Sequence, residues 1–330
     1  MGNGQSISSV LTQILPPKPL FTVKDVPTLE GKVYIVTGSN TGVGKALAQI
    51  LYSKNAKVYV AARSKEKAER AIEDIVSAHP KSTGQLVFLK IDLSDLTTIK
   101  ASVNEFLSKE TLLHVLFNNA GVMMPPKGSR SAQGFEIHLG VNNLGTFLFT
   151  KLLTPILAST VKSELPNAVR VVWVSSSGTE IFGLKNVGVD MDNLDFHNDL
   201  RDIEKYSVSK IGNYLHAVEY AKRYKAEGIV SCALNPGNLK SDLARDSAWG
   251  YKILVALFGY PPVMGAHTEL FAGLSPDVTL EKSGSWIIPF GRFQPIRPDL
   301  TNATKTEAEG GNGTGLKFWD WTEAQLKLHV

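Results

Sequence analysis

The chain has 330 residues, 43% apolar and 20% charged, with a net charge of +4 and a pI near 8.9. This is an ordinary globular mixture, long enough for one large core or two small ones. It holds no Lys/Arg block, so nucleic acid is not expected as a partner, and its mild basicity suits a phosphorylated cofactor.

The single cysteine, Cys232, excludes an internal disulfide and points to a reducing, cytoplasmic setting. It lies in an apolar run at 229–234 and reads as a small core residue. The seven histidines form no HxxxH or HExxH pair and there is no CxxC, so no metal site is indicated.

Residues 1–30 read as a tail ending in a Pro-containing linker. They open Met1-Gly2-Asn3-Gly4-Gln5-Ser6, which fits the N-myristoylation pattern at Gly2, and Val10, Leu11, Ile14 and Leu15 would then form a short apolar face. One acyl chain anchors weakly, so membrane association stands beside the plainer reading of a disordered tail. A secretory signal and a transmembrane run of about 18 apolar residues are both missing from the pattern. The sequons at Asn302 and Asn312 are therefore expected to be chance matches.

From Gly31 onward, apolar strands alternate with helical periodicity. Strands are predicted at 32–36, 57–61, 86–91, 115–117, 170–175, 230–234 and 286–289. Helices are predicted at 45–54, 65–78, 96–107, 134–157 and 206–224. Strands apolar throughout and separated by helices imply a parallel sheet covered on both faces. The fold class is α/β: a Rossmann-type doubly wound sheet of about seven strands in one catalytic domain. That domain spans 31–300 and includes an apolar lid at 239–263. A C-terminal extension, 301–330, ends in a helix whose Phe318, Trp319 and Trp321 read as packing. Ligands of such sheets sit beyond the carboxyl ends of the strands, and the informative residues fall there.

The first strand runs into Thr37-Gly38-Ser39-Asn40-Thr41-Gly42-Val43-Gly44 and then a helix. Glycines let the backbone turn tightly and approach a pyrophosphate, and the helix N-terminus supplies free N–H groups. The second strand ends Val60-Ala61-Ala62-Arg63. Users of NAD usually place an acid here for the ribose hydroxyls; Arg63 instead suits a 2′-phosphate, with Ser39 and Asn40 as further donors. NADP(H) is the expected cofactor.

Tyr206 and Lys210 stand four apart on a predicted helix and share a face. A free phenol has a pKa of about 10, and a neighbouring ammonium lowers it, so Tyr206 can exchange a proton with a substrate oxygen. The strand 171–174 runs into Ser175-Ser176-Ser177, where a hydroxyl can meet that oxygen.

The turn Thr-Gly-x-x-x-Gly-x-Gly together with Tyr-x-x-x-Lys resembles the short-chain dehydrogenase/reductase family, over about residues 30–290. The resemblance implies a catalytic Ser176, with Ser175 and Ser177 as alternatives. It implies that Asn142, in Val141-Asn142-Asn143-Leu144-Gly145, holds a water linking Lys210 to solvent, with Asn143 as the alternative. It places Asp92 and Leu93 by the adenine, Asn119, Ala120 and Gly121 by the ribose, and Pro236-Gly237 by the nicotinamide amide. Ser241 stands where the family usually has Thr. Lys210 would also hold the nicotinamide ribose, and relatives often form homodimers or homotetramers through two long helices. The 30-residue step from Ser176 to Tyr206 looks like the retinol-dehydrogenase-like and protochlorophyllide-reductase-like branch.

The segments 178–205 and 239–263 are expected at the pocket mouth, and the second is apolar, suggesting reduction of a lipophilic ketone or aldehyde. A redox-neutral epimerase and a catalytically silent NADP-binding regulator are the rival readings.

Overall fold

The computed structural model describes residues 7–240 and 259–330. Eight described strands form one sheet, in the order β3-β2-β1-β4-β5-β6-β7-β8. They are β1 (Val33–Thr37), β2 (Lys57–Ala62), β3 (Gln85–Lys90), β4 (Val115–Asn118), β5 (Arg170–Val174), β6 (Val230–Leu234), β7 (Trp286–Ile288) and β8 (Arg292–Phe293). Neighbours pair in parallel except β8, which runs antiparallel to β7. The seven expected strands are all present. The eighth has two residues, too few to show a periodic pattern.

The strands β1, β4, β5 and β6 are buried along their whole length, because helices cover both faces. On one face, α2 (Gly42–Ser53) and α8 (Pro262–Leu274) bury Leu47, Leu51, Ala266 and Leu270 against Val36, Val172 and Cys232. On the other face, α4 (Leu96–Leu107), α5 (Thr146–Val161) and α7 (Asp202–Tyr224) bury Phe106, Phe147 and Leu215 against Ile35, Leu116 and Val171. Between β2 and β3 runs α3 (Lys65–Ala78), at its predicted bounds. Strand order reverses between β1 and β4, which opens a crevice at their carboxyl ends.

Four segments depart from expectation. The predicted helix 134–157 is an isolated bridge, Arg130 to Glu136, followed by a π-helical turn, Leu139–Gly145, that leads into α5. Gly134, at φ +83°, ends the periodic pattern before the helix starts. The merged stretch Leu139–Val161 is long and apolar enough to cross a membrane, yet two-thirds of its most apolar window is buried inside the protein, as in a core helix.

The N-terminal tail holds a helix, α1 (Ile7–Ile14), docked on the body of the protein. Arg292 donates to the Thr12 carbonyl at 2.7 Å and to its hydroxyl at 2.8 Å. The C-terminal extension is built into the core: α9 (Thr314–Leu326) buries Phe318 and Trp319 against Phe147 and His216. The expected pocket-mouth segment 178–205 is only partly at the surface, because Val189, Leu194 and Phe196 also enter that core.

Helix packing meets the crevice at Gly145. A Cβ there would lie 2.2 Å from the Leu93 carbonyl oxygen, a main-chain atom. Gly145→Ala is therefore expected to lose about 1–3 kcal/mol of stability, read as a lower urea midpoint at unchanged m-value. An unchanged midpoint would show that the two backbones separate freely.

Candidate active site

The crevice is framed by the turn after β1. Gly38 has φ +69°, and a Cβ on Gly44 would fall 2.5 Å from Asn119 Nδ2 and 2.9 Å from the Gly38 carbonyl. Bare backbone is thus required for the turn to close on the residues after β4. Asn119 Nδ2 donates to the Thr37 carbonyl at 2.6 Å, and the Ala120 N–H donates to Thr37 Oγ1 at 2.9 Å. The start of α2, Thr41-Gly42-Val43, stands at the lip of the crevice with its first-turn N–H groups.

Ser39 faces inward: it is fully buried and donates to the Val36 carbonyl at 2.7 Å. Its hydroxyl proton is committed to the turn, which leaves half-buried Asn40 and Arg63 on the open side. Arg63 follows β2, is exposed, and has no ion pair among the described residues. Asp92, after β3, turns its own loop by accepting from the Ser94 N–H at 3.0 Å and hydroxyl at 2.6 Å. Leu93 is buried beside it. This frame fits a dinucleotide: a glycine turn, a helix N-terminus and a guanidinium with no ion pair among the described residues near the second strand end.

Across the crevice, α7 begins four residues before its predicted start, because Glu204 reaches back to accept from the Arg201 N–H at 2.9 Å. Tyr206 and Lys210 are both buried, and the lysine Nζ lies 5.9 Å from the tyrosine ring centroid. The ammonium donates to the Val174 carbonyl, at the end of β5, at 2.8 Å. Burial pushes its pKa down to about 8, so it remains largely protonated at neutral pH. A Cβ on Gly121 would stand 3.1 Å from both Lys210 Nζ and Asn142 Oδ1, which places the residues after β4, the π-helical turn and α7 around one point.

Of the three serines, Ser176 is the one whose hydroxyl shares the neighbourhood of Gly178 with the tyrosine. Its Oγ and the Tyr206 ring lie 3.4 and 3.6 Å from the Cβ position of Gly178. Ser175 is buried and donates to the Lys210 carbonyl at 2.6 Å, tying β5 to α7. Ser177 faces Asn238 at 3.5 Å.

The asparagines divide their work. Asn142 clamps Val122, accepting from its N–H at 2.8 Å and donating to its carbonyl at 3.1 Å, and donates to Ser209 Oγ at 2.9 Å. Both of its amide hydrogens are thus occupied. Asn143 donates to the Ser209 carbonyl and Asn213 Oδ1, at 2.9 and 3.0 Å, so it joins the π-helical turn to α7. After β6, Asn235 Oδ1 accepts from the Gly237 N–H at 3.0 Å and shapes the Pro236-Gly237 turn. Ser241 and most of the expected lid lie outside the described residues.

Three residues escaped the motif reading. Gln13 of α1 donates to Glu180 Oε2 at 2.8 Å, and its side-chain oxygen accepts from Asn235 Nδ2 at 2.9 Å. Arg297 is buried; it pairs with Asp299 at 2.6 Å and donates to the carbonyls of Glu180 and Gly183 in and after the short helix α6 (Gly178–Ile181). Glu269 of α8 is fully buried, and neither carboxyl oxygen has a hydrogen-bond partner among the described residues. A carboxylate inside the apolar run 262–274 was the only sequence signal for it.

The family described as short chain dehydrogenase matches residues 32–183. A short-chain dehydrogenase/reductase of Phomopsis amygdali is 54% identical, covering 100% of this chain and 99% of its own length. Another, from Neocamarosporium betae, is 51% identical over 99% of this chain and 95% of its own. The chain belongs to the short-chain dehydrogenase/reductase family. Among solved structures, an uncharacterised protein of Mycobacterium paratuberculosis superposes with a TM-score of 0.62 at 26% identity, covering 93% of this chain and 97% of that one. Membership makes the protein an oxidoreductase that transfers hydride through a nicotinamide cofactor.

Within this short-chain dehydrogenase/reductase, Glu269 is a carboxyl whose charged form burial disfavours. Burial raises its carboxyl to about 8, partly offset by the Lys210 charge. A carboxyl whose folded pKa is raised stabilises the fold below the ordinary range and loses that contribution as pH climbs to the folded value. Glu269→Gln should therefore match the parent in melting temperature near pH 4 and gain on it steadily until about pH 8, where the gap levels off. A gap independent of pH would show that Glu269 is already ionised at neutrality.

Proposed function

We propose that the protein is an NADP(H)-dependent reductase of hydrophobic ketones or aldehydes with Tyr206 as general acid/base. The observation that carries this reading is that Ser176 Oγ and the Tyr206 ring lie 3.4 and 3.6 Å from one point, with the Lys210 ammonium 5.9 Å from the ring centroid. The nicotinamide supplies the hydride when bound. The Ser176 hydroxyl donates a hydrogen bond to the carbonyl oxygen and orients it. The Tyr206 hydroxyl delivers the proton that the oxygen gains as the carbon is reduced, and Lys210 stabilises the phenolate left behind. Asn142 supports this pair by fixing Val122 and Ser209 on either side of the lysine.

The choice of NADP(H) rests on Arg63, whose guanidinium suits a 2′-phosphate, and on the lack of an acid at that strand end. The hydrophobic substrate class rests on apolar side chains near the serine turn. Ile181 and Phe182 remain 45% and 46% exposed there.

NADPH oxidation with decanal follows the reaction directly. Tyr206→Phe is expected to lose about 100-fold or more in kcat while still quenching with NADPH. Arg63→Asp should weaken NADPH about tenfold or more relative to NADH. Retained turnover in Tyr206→Phe would remove the phenol from the chemistry, and unchanged cofactor preference would remove Arg63 from the phosphate site.

A further inference from the structure

The N-terminal helix α1 is docked beside the serine turn and the Pro236-Gly237 turn. It lines a cleft whose other walls are Ser177, Glu180, Ile181 and Asn238, residues near the serine turn and the Pro236-Gly237 turn. From α1 the cleft receives Val10, Gln13 and Ile14. Its apolar members are left in water: Ile14 is 40% exposed and Ile181 45%.

Gln13 is the opposite case. It is 6% exposed and carries a polar amide into the interior. Both ends of that amide are used, one on Glu180 of α6 and one on Asn235 after β6. These partners stand four residues beyond Ser176 and one residue before Pro236. A single side chain therefore couples the segment that carries the serine to the segment that carries the Pro-Gly turn. Asn235 Oδ1 in turn accepts from the Gly237 N–H, and Glu180 Oε1 accepts from the Arg297 N–H at 3.2 Å. The far side of α1 is also fastened. Arg292 grips Thr12, and Gln294 donates to the Ser9 hydroxyl. A tail with no role at the site would not need a buried, doubly bonded amide, because placing one there costs desolvation that only made hydrogen bonds offset.

We propose that α1 is a wall of the substrate cleft, that the cleft takes the apolar tail of the substrate, and that Gln13 is the positioning residue that sets this wall. The inference rests on the carbonyl-reductase reading, which places the reacting carbon between Ser176 and Tyr206. The cleft begins at the next residue, Ser177, so a long apolar chain leaving that carbon runs along Val10, Ile14 and Ile181. A short chain ends before it reaches them.

Two measurements on the full-length, NADPH-loaded protein test this. The first reads binding without turnover: amide hydrogen exchange with and without 1-decanol. Decanol is expected to slow exchange over residues 177–183 in the parent and to leave Gln13→Ala unprotected there. The second compares aldehydes of two lengths. Gln13→Ala should raise KM for decanal about tenfold and KM for butanal by less than about twofold, a split that a general loss of packing would not produce. The conservative Gln13→Asn should recover part of the decanal KM. Equal decanol protection in parent and variant, or a KM rise equal for both aldehydes, overturns the proposal. No turnover of either aldehyde by the parent would sink the carbonyl reading, and decanol protection would still decide the wall.

Discussion

A lysine ammonium held inside the protein is the constraint around which this structure is arranged. Lys210 is 4% exposed, and removing an ammonium from water is expensive unless hydrogen bonds and charge replace the solvent. The Val174 carbonyl supplies one such bond, at the very end of β5. That bond fixes α7 along its axis, so Tyr206, one helical turn away, arrives beside the serine turn that follows the same strand. Ser175 reinforces the register by donating to the Lys210 carbonyl from the opposite direction. The asparagines of the π-helical turn then lock α7 from the other side through Ser209 and Asn213. Few alternative positions of the helix would keep all of these polar groups satisfied.

Much of this was legible in the sequence. Strands of uninterrupted apolar residues separated by helical periodicity specify a doubly wound sheet, and chemistry at strand ends follows from that architecture. Helices 65–78 and 96–107 sit at their predicted bounds, since each opens on a capping residue, Ser64 or Asp95. The Tyr206–Lys210 pair was readable because residues four apart on a helix share a face. The π-helical turn was not readable. Its residues, Leu139 to Gly145, look like any apolar helix start, and the wider register is set by tertiary bonds from Asn142 and Asn143.

The parts that sequence reasoning misplaced share one physical origin. Gln13, Glu180 and Arg297 are polar residues whose burial depends on partners far away in the chain. Gln13 meets Asn235 across 222 positions, and Arg297 meets Glu180 across 117. No local period announces such contacts. Similarly, Ser39 reads as an available donor in its loop, and only the fold shows its hydroxyl turned in on Val36. Both ends of the chain, which read as extensions, pack on the structure: α9 stacks Phe318 on His216 of α7, and α1 bonds to Glu180 beside the serine turn.

The central claim is that the buried ammonium makes the phenol of Tyr206 able to exchange a proton near neutrality. The pH dependence of kcat for alcohol oxidation, measured in the parent and in Lys210→Met, tests it most directly. The account predicts that the rise of kcat with pH moves up by about one unit or more in Lys210→Met, as the phenolate loses its stabilising charge. The same inflection in both proteins would contradict it.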